Sequence, residues 1–185
     1  HITLEILHTL ICRLMFNIQY RRARGHRKIA YIHGEDSSVT RNRLGSFYRT
    51  LQKKRIDIPD EYMPVIPYRD AEAAAIATSE LLDLKDPPTC ILYPDDFSAL
   101  GGINEIHERG LRIPDDISIV SFDDVVPVHD REVKLVSVIH PKYNFGRLAA
   151  RHLLRMMEDP NWQQNSYSYR FPVTINDGNS IKNIK

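Results

Sequence analysis

The stretch PPTCILYPDDFSALGGINEIHERGLRIPDDISIVSFDD, residues 87–124, decides the fold. Pro87 and Pro88 stop any helix that precedes them, and Thr89 to Tyr93 is a short β-rich run. From Phe97 to Arg109 the apolar residues Leu100, Ile103 and Ile106 recur at helical spacing, and Gly110 supplies a helix stop. Ile117 to Phe122 is almost entirely apolar, as expected of a strand buried on both faces of a parallel sheet, and it ends at Asp123 and Asp124. The order strand, helix, strand is one right-handed crossover unit.

The same unit recurs on either side. Upstream, Ile29 to Ile32 is a short apolar run ended by Gly34. A Ser-rich opening follows, leading into a helix with Leu44, Phe47, Tyr48 and Leu51 at i, i+3, i+4 and i+7. Pro59, Pro64 and Pro67 bracket a short strand around Met63 to Ile66, and Ala71 to Leu84 is rich in helix formers. Downstream, Leu135 to Ile139 reads as a strand, Pro141 precedes a helix from Asn144 to Glu158, and a polar segment leads to a last strand, Phe171 to Ile175. Ile2 to Arg22 reads as a helix with Leu7, Leu10, Ile11, Leu14 and Ile18 on one face. The basic residues Arg21, Arg22, Arg24, Arg27 and Lys28 complement its carboxyl end on a solvated face. The expected class is α/β, a doubly wound parallel sheet flanked by helices.

Composition narrows the partners. The chain has 185 residues with 25 Lys and Arg against 24 Asp and Glu, a formal net charge of +1, so no whole-chain attraction to a polyanion is expected. Cys12 and Cys90 form neither a disulfide framework nor a metal spacing, which fits a reducing, cytoplasmic setting. The apolar stretch Ile2 to Ile18 is interrupted by Glu5, His8, Arg13 and Asn17 and falls short of the roughly 20 apolar residues of a membrane span. No secretory signal or internal repeat is evident, and an opening at His rather than Met suggests a piece of a longer protein.

In open α/β sheets ligands bind beyond the carboxyl ends of the strands. The residues there are polar: Ser37, Ser38 and Arg43 after one strand, Asp95 and Asp96 after another, Asp123 and Asp124 after a third. A guanidinium among carboxylates suits a polyhydroxylated ligand, because Arg offers a fork of donors and a carboxylate accepts two hydroxyl protons. Structural roles compete. Asp95 or Asp96 preceding a helix is a natural N-cap, and Arg43 can be a surface residue. The rival from another class is a small Mg²⁺-dependent phosphoryl-transfer or hydrolytic enzyme using the Asp pairs. There is no G-x-S-x-G, H-E-x-x-H, Walker or dinucleotide loop. His26, His33, His107 and His140 are scattered and suit capping or packing better than metal binding.

The segments GHRKIAYIHG (25–34), RNRLGSF (41–47), residues 87–124 and VSVIHPKYNFGRLAA (136–150), in that order and spacing, resemble the lactose/galactose repressor (LacI/GalR) family over residues 25 to about 158. The resemblance implies a two-lobed, periplasmic-binding-protein-like (type I) effector domain, of which this chain carries mainly the carboxyl-terminal lobe, residues 20–138 and 166–178. Residues 140–160 would cross to the other lobe. It implies a sugar or related small molecule as effector, held by Arg43 and Asp123 with Asp95 standing where many members have Asn. Ser37 and Phe97 fall at pocket-lining positions and His140 at the lobe crossover. It further implies a homodimer, contact with operator DNA only through a helix-turn-helix domain outside this chain, no cofactor, no metal, no membrane and no catalysis.

Overall fold

The computed structural model describes residues 2–6, 25–125, 133–159, 161, 167–172 and 174–184. Four short runs, β2 (Ile29–Tyr31), β5 (Cys90–Leu92), β6 (Ser118–Phe122) and β7 (Val136–Ile139), pair in parallel in that order, and β9 (Thr174–Ile175) closes the edge antiparallel to β7. A separate parallel pair, β3 (His33–Gly34) with β4 (Val65–Ile66), continues beyond β2. The helices are α1 (Ser38–Lys54), α2 (Ala71–Leu82), α3 (Asp96–Glu108) and α4 (Lys142–Glu158).

The strands are apolar throughout because successive side chains enter two different cores. Ile29, Tyr31, Cys90, Leu92, Val120, Phe122, Val136 and Val138 meet Phe47 and Leu51 of α1 on one face. Ala30, Ile32, Ile91, Tyr93, Ile119 and Leu135 meet Ala74, Ala77 and Leu81 of α2 and Ala99, Ile103 and Ile106 of α3 on the other. This is the doubly wound parallel arrangement expected of the class. Helices α2 and α3 touch backbone to backbone: a Cβ added at Gly101 would lie 1.8 Å from the Ala71 carbonyl oxygen. Burial leaves the Cys90 thiol pushed up to about 12, a thiol rather than a nucleophile at neutral pH.

Two expectations fail at the chain's ends. Ile2 to Arg22 does not open as a helix: Ile2–Ile6 is strand β1, paired in parallel with β8 (Tyr167–Phe171). Ile-Thr-Leu-Glu-Ile alternates apolar and polar residues with the period of two that a half-covered strand wants, and the ladder with β8 satisfies its backbone. Leu7 to Arg22 lies outside the described residues. The last strand, expected as Phe171 to Ile175, is divided. Phe171 ends β8, whereas Thr174 and Ile175 form β9 in the main sheet. Pro172 between them has no N–H to give a ladder.

Helix α4 packs on β8, with the Phe145 and Phe171 rings 4.7 Å apart edge to face and His152 Nε2 2.8 Å from the Tyr169 hydroxyl. Its other side exposes Tyr143, Leu153, Leu154 and Met157. Among the described residues no helix is long and apolar enough to cross a membrane.

Candidate functional site

Parallel pairing brings the carboxyl ends of β2, β5, β6 and β7 to one edge of the sheet, and the polar residues gather there. Ser37 caps α1, its hydroxyl accepting from Thr40 N at 3.0 Å. Thr40 in turn donates its hydroxyl to the Glu35 carbonyl and lies 2.9 Å from the Tyr68 hydroxyl. The close approach of Tyr68 requires a glycine at position 34, since a Cβ there would sit 2.0 Å from the tyrosine ring.

Arg43, on the second turn of α1, points inward and is 7% exposed. Its Nη1 donates to the Pro94 carbonyl at 2.8 Å and its guanidinium lies 3.6 Å above the Phe122 ring. Its Nε is buried without a hydrogen-bond partner. A buried donor left over in this way carries a desolvation cost of about 1–3 kcal/mol, which a ligand oxygen can relieve.

The two acids at the start of α3 are committed inside the protein. Asp95 is the N-cap: Oδ1 accepts from Ser98 N at 2.9 Å, and Oδ2 accepts from the Ser98 hydroxyl at 3.0 Å and from Arg69 N at 2.8 Å. Asp96 Oδ1 accepts from the hydroxyls of Ser121 and Ser137, and its Oδ2 from Val125 N at 2.6 Å. Burial pushes the Asp96 carboxyl above the usual carboxylate range, against the pull of those three donors and with the charge of Asp123 adding to the rise.

Asp123 and Asp124 turn the chain out of β6 with φ of 101° and 50°, two consecutive non-glycine residues in the left-handed region. Such a conformation costs on the order of 1–3 kcal/mol per residue and persists only where neighbours enforce it. Here Asp123 N donates to the Val138 carbonyl, Asp124 N to the Ser137 hydroxyl, and Asn176 Nδ2 to Asp124 Oδ1. The turn holds Asp123 Oδ1 3.3 Å from His140 Nε2. Burial would raise the Asp123 carboxyl, but the hydrogen bond and charge of His140, with the charges of Arg43 and Lys142, outweigh it and hold the group below its ordinary value. His140 Nδ1 is buried with no partner.

Phe97 lies half-buried beneath the guanidinium of Arg69, 4.2 Å from ring centroid to Cζ. Arg69 did not stand out in the sequence. It occupies the short turn between β4 and α2, at φ 60°, tethered by its backbone N–H to Asp95. The signal that would have found it is position alone, because it follows a strand just as Asp95 and Asp123 do. A run of contacts thus joins Ser37, Thr40, Tyr68 and Arg69 to Asp95, then through Pro94 to Arg43, whose guanidinium lies over Phe122, the neighbour of Asp123, which meets His140. Phe97 joins through Arg69, and Asp96 sits behind the turn through Ser121, Ser137 and Val125. Among the described residues no group of three or more His, Cys, Asp or Glu side chains is placed to hold a metal ion.

Residues 18–181 match the description of a periplasmic binding protein-like domain. The chain is 33% identical over 138 residues to the ribose operon repressor of Haemophilus influenzae, covering 74% of this chain and 41% of that protein. It is 30% identical over 142 residues to the transcriptional repressor CytR of Escherichia coli K12, covering 76% and 41%. It thus spans about two-fifths of the length of these curated relatives. Among solved structures, a LacI transcriptional regulator from Bacillus cereus subsp. cytotoxis superposes with a TM-score of 0.83 at 26% identity over 98% of this chain and 63% of that one. A LacI family regulator from Enterococcus faecium with bound ribose superposes with a TM-score of 0.78 at 23% identity over 96% and 62%.

Proposed function

This chain belongs to the periplasmic-binding-protein-like domain family, in the form carried by LacI-type transcriptional regulators, and we propose that it forms one wall of an effector cleft that senses a sugar or related polyhydroxylated molecule. The observation that carries the reading is the Arg43, Asp123 and His140 cluster. It combines a buried guanidinium with an unused Nε, a carboxylate kept ionised beside it, and an imidazole with a buried, unused nitrogen. Such a set offers donors and acceptors together, which a vicinal diol matches and which an analogue lacking one hydroxyl leaves unpaired. Ser37 and Phe97 line the wall. Asp95 serves it from behind, setting the start of α3 and the turn of Arg69. The ribose in the Enterococcus faecium regulator fits the same class of ligand.

In this account the main sheet, which β9 closes, belongs to the carboxyl-terminal lobe, and residues 140–160 pass to a second lobe together with β8, which pairs with β1 and packs on α4, so the expected span 166–178 divides between β8 and β9. Closure of the two lobes on the effector would change the operator affinity of a cytoplasmic homodimer whose DNA contacts are made by a separate helix-turn-helix domain. The chain binds its ligand without transforming it. Asp95 and Asp96, needed by a Mg²⁺-dependent enzyme, are already committed to backbone N–H groups and seryl hydroxyls.

A thermal-shift screen with sugars and nucleosides tests this. A ligand at 100 times its dissociation constant adds about 2.7 kcal/mol of stability. The expected result is a sugar that stabilises the wild type and leaves Arg43→Ala unshifted. A response to no compound, or Mg²⁺-dependent turnover of the compound that binds, would overturn the proposal.

A further inference from the structure

Most acids around the strand ends have their oxygens filled, whereas several cations keep donors open, and that asymmetry bears on which ligand the wall takes. Asp95 and Asp96 are buried and each accepts three internal hydrogen bonds. Asp36 is paired with Arg41 at 2.6 Å, Asp70 caps α2 through Ala73 N, and Asp124 is held by Asn176. That leaves Asp123 and the exposed Glu35 with oxygens to offer a ligand, while Arg43, Lys142 and Arg69 keep cationic donors. Lys142 acts on Asp123 through its charge, and among the described residues it makes no ion pair.

Arg69 is the informative member. Its backbone is fixed by Asp95 in a left-handed conformation, and its guanidinium rests on the face of Phe97. An exposed arginine ordinarily lies free or finds a carboxylate. Here the aromatic face holds the guanidinium in place, and among the described residues its N–H groups make no hydrogen bond. Among the described residues no carboxylate pairs with it. A guanidinium held over a ring with its fork unfilled is matched to a bidentate oxyanion.

We infer that the ligand of this wall is a polyhydroxylated anion, a sugar bearing one carboxylate or phosphate, and that Arg69 is the residue that reads the anionic group while Arg43 and Asp123 read the hydroxyls. The inference rests on the effector-binding reading and goes further by naming the charge of the ligand and the residue that selects it.

Isothermal titration of the full chain at pH 7.5 in 150 mM NaCl tests it with matched pairs: D-glucose and D-glucuronate, D-galactose and D-galacturonate, D-ribose and D-ribose 5-phosphate, with inorganic phosphate as a further probe. The uronates and the sugar phosphate distinguish the two sources of anion. The expected result is at least tenfold tighter binding of one anion than of its neutral partner, equivalent to about 1.4 kcal/mol. Arg69→Ala and Arg69→Gln should both lose that preference, the anion falling to within about threefold of its neutral partner. Preference lost in Arg69→Ala but retained in Arg69→Gln would overturn the charge argument. Neutral sugars binding as tightly as the anions would overturn the inference and leave the sensing proposal standing. Phosphate alone binding as tightly as the sugar anion would overturn it by showing a generic anion site. Failure of every sugar and sugar anion to bind would overturn both.

Discussion

Replacing Asp96 with alanine should unfold the turn that presents Asp123. The carboxylate accepts from Ser121, Ser137 and Val125, and both serines are essentially fully buried. In Asp96→Ala the hydroxyls of Ser121 and Ser137 and the Val125 N–H all lose their acceptor, at about 1–3 kcal/mol each, and Ser137 keeps only the bond it accepts from Asp124 N. Deleting a carboxyl that burial already disfavours returns part of this, so the net loss should be about 3 kcal/mol. Asp96→Asn keeps an oxygen for the two hydroxyls but turns an amide N–H₂ toward Val125 N–H, and should lose about 1–2 kcal/mol. Urea unfolding followed by far-ultraviolet circular dichroism reads both values. The pH dependence adds a sign. Asp96 is held above the value of about 4 that it has in an unfolded chain, so its contribution is complete below that pH and is lost as pH rises through the folded value. The advantage of wild type over Asp96→Asn should therefore narrow as pH rises above about 4. Asp96→Ala within 0.5 kcal/mol of wild type, a difference below about a fifth of the loss expected from the unpaired groups, would refute the reasoning.

Asp123 titrates with the opposite sign. Its folded value is depressed, so its contribution is present above about pH 4 and lost as pH falls through the folded value, and Asp123→Asn should fall behind wild type at pH 7 and draw level in acid in the same unfolding assay. Asn tolerates the positive φ, so this substitution isolates the charge. Gly101→Ala drives a methyl into the Ala71 carbonyl and should cost about 3 kcal/mol by chemical denaturation, because neither backbone can yield without parting α2 from α3. Asp95→Ala removes the cap of α3 and the acceptor of Arg69 N, a loss of about 2–4 kcal/mol in urea, and it should also weaken any ligand that depends on Arg69.

What the sequence carried best was the two-sided burial of the central strands, because an unbroken apolar run such as Ile117 to Phe122 has few other places to go. Helix positions followed from spacing, as in Leu44, Phe47 and Leu51. Legibility failed where a choice turned on pairing: Ile2 to Ile6 alternates over only five residues, and its continuation into Leu7, Leu10 and Ile11 carries a helical period. At the site, position after a strand singled out Arg43, Asp95 and Asp123 together, and the helix that follows marked Asp95 or Asp96 as a natural cap without saying which of them fills that role. Asp95 is a cap whose oxygens are filled, whereas Asp123 keeps a partly open carboxylate, and only hydrogen-bond geometry distinguishes these. Arg69 escaped notice because its placement comes from a strained turn and an aromatic face distant in sequence, neither of which leaves a motif.

The central claim is that Arg43, Asp123 and His140 form a ligand-reading surface. The most direct measurement is the binding isotherm of a sugar or sugar anion that stabilises the wild type, repeated at pH 7.5 on Asp123→Asn whose fold is checked by far-ultraviolet circular dichroism. The account predicts at least a tenfold loss of affinity, about 1.4 kcal/mol, from removing an acceptor of ligand hydroxyls. An unchanged dissociation constant would contradict it.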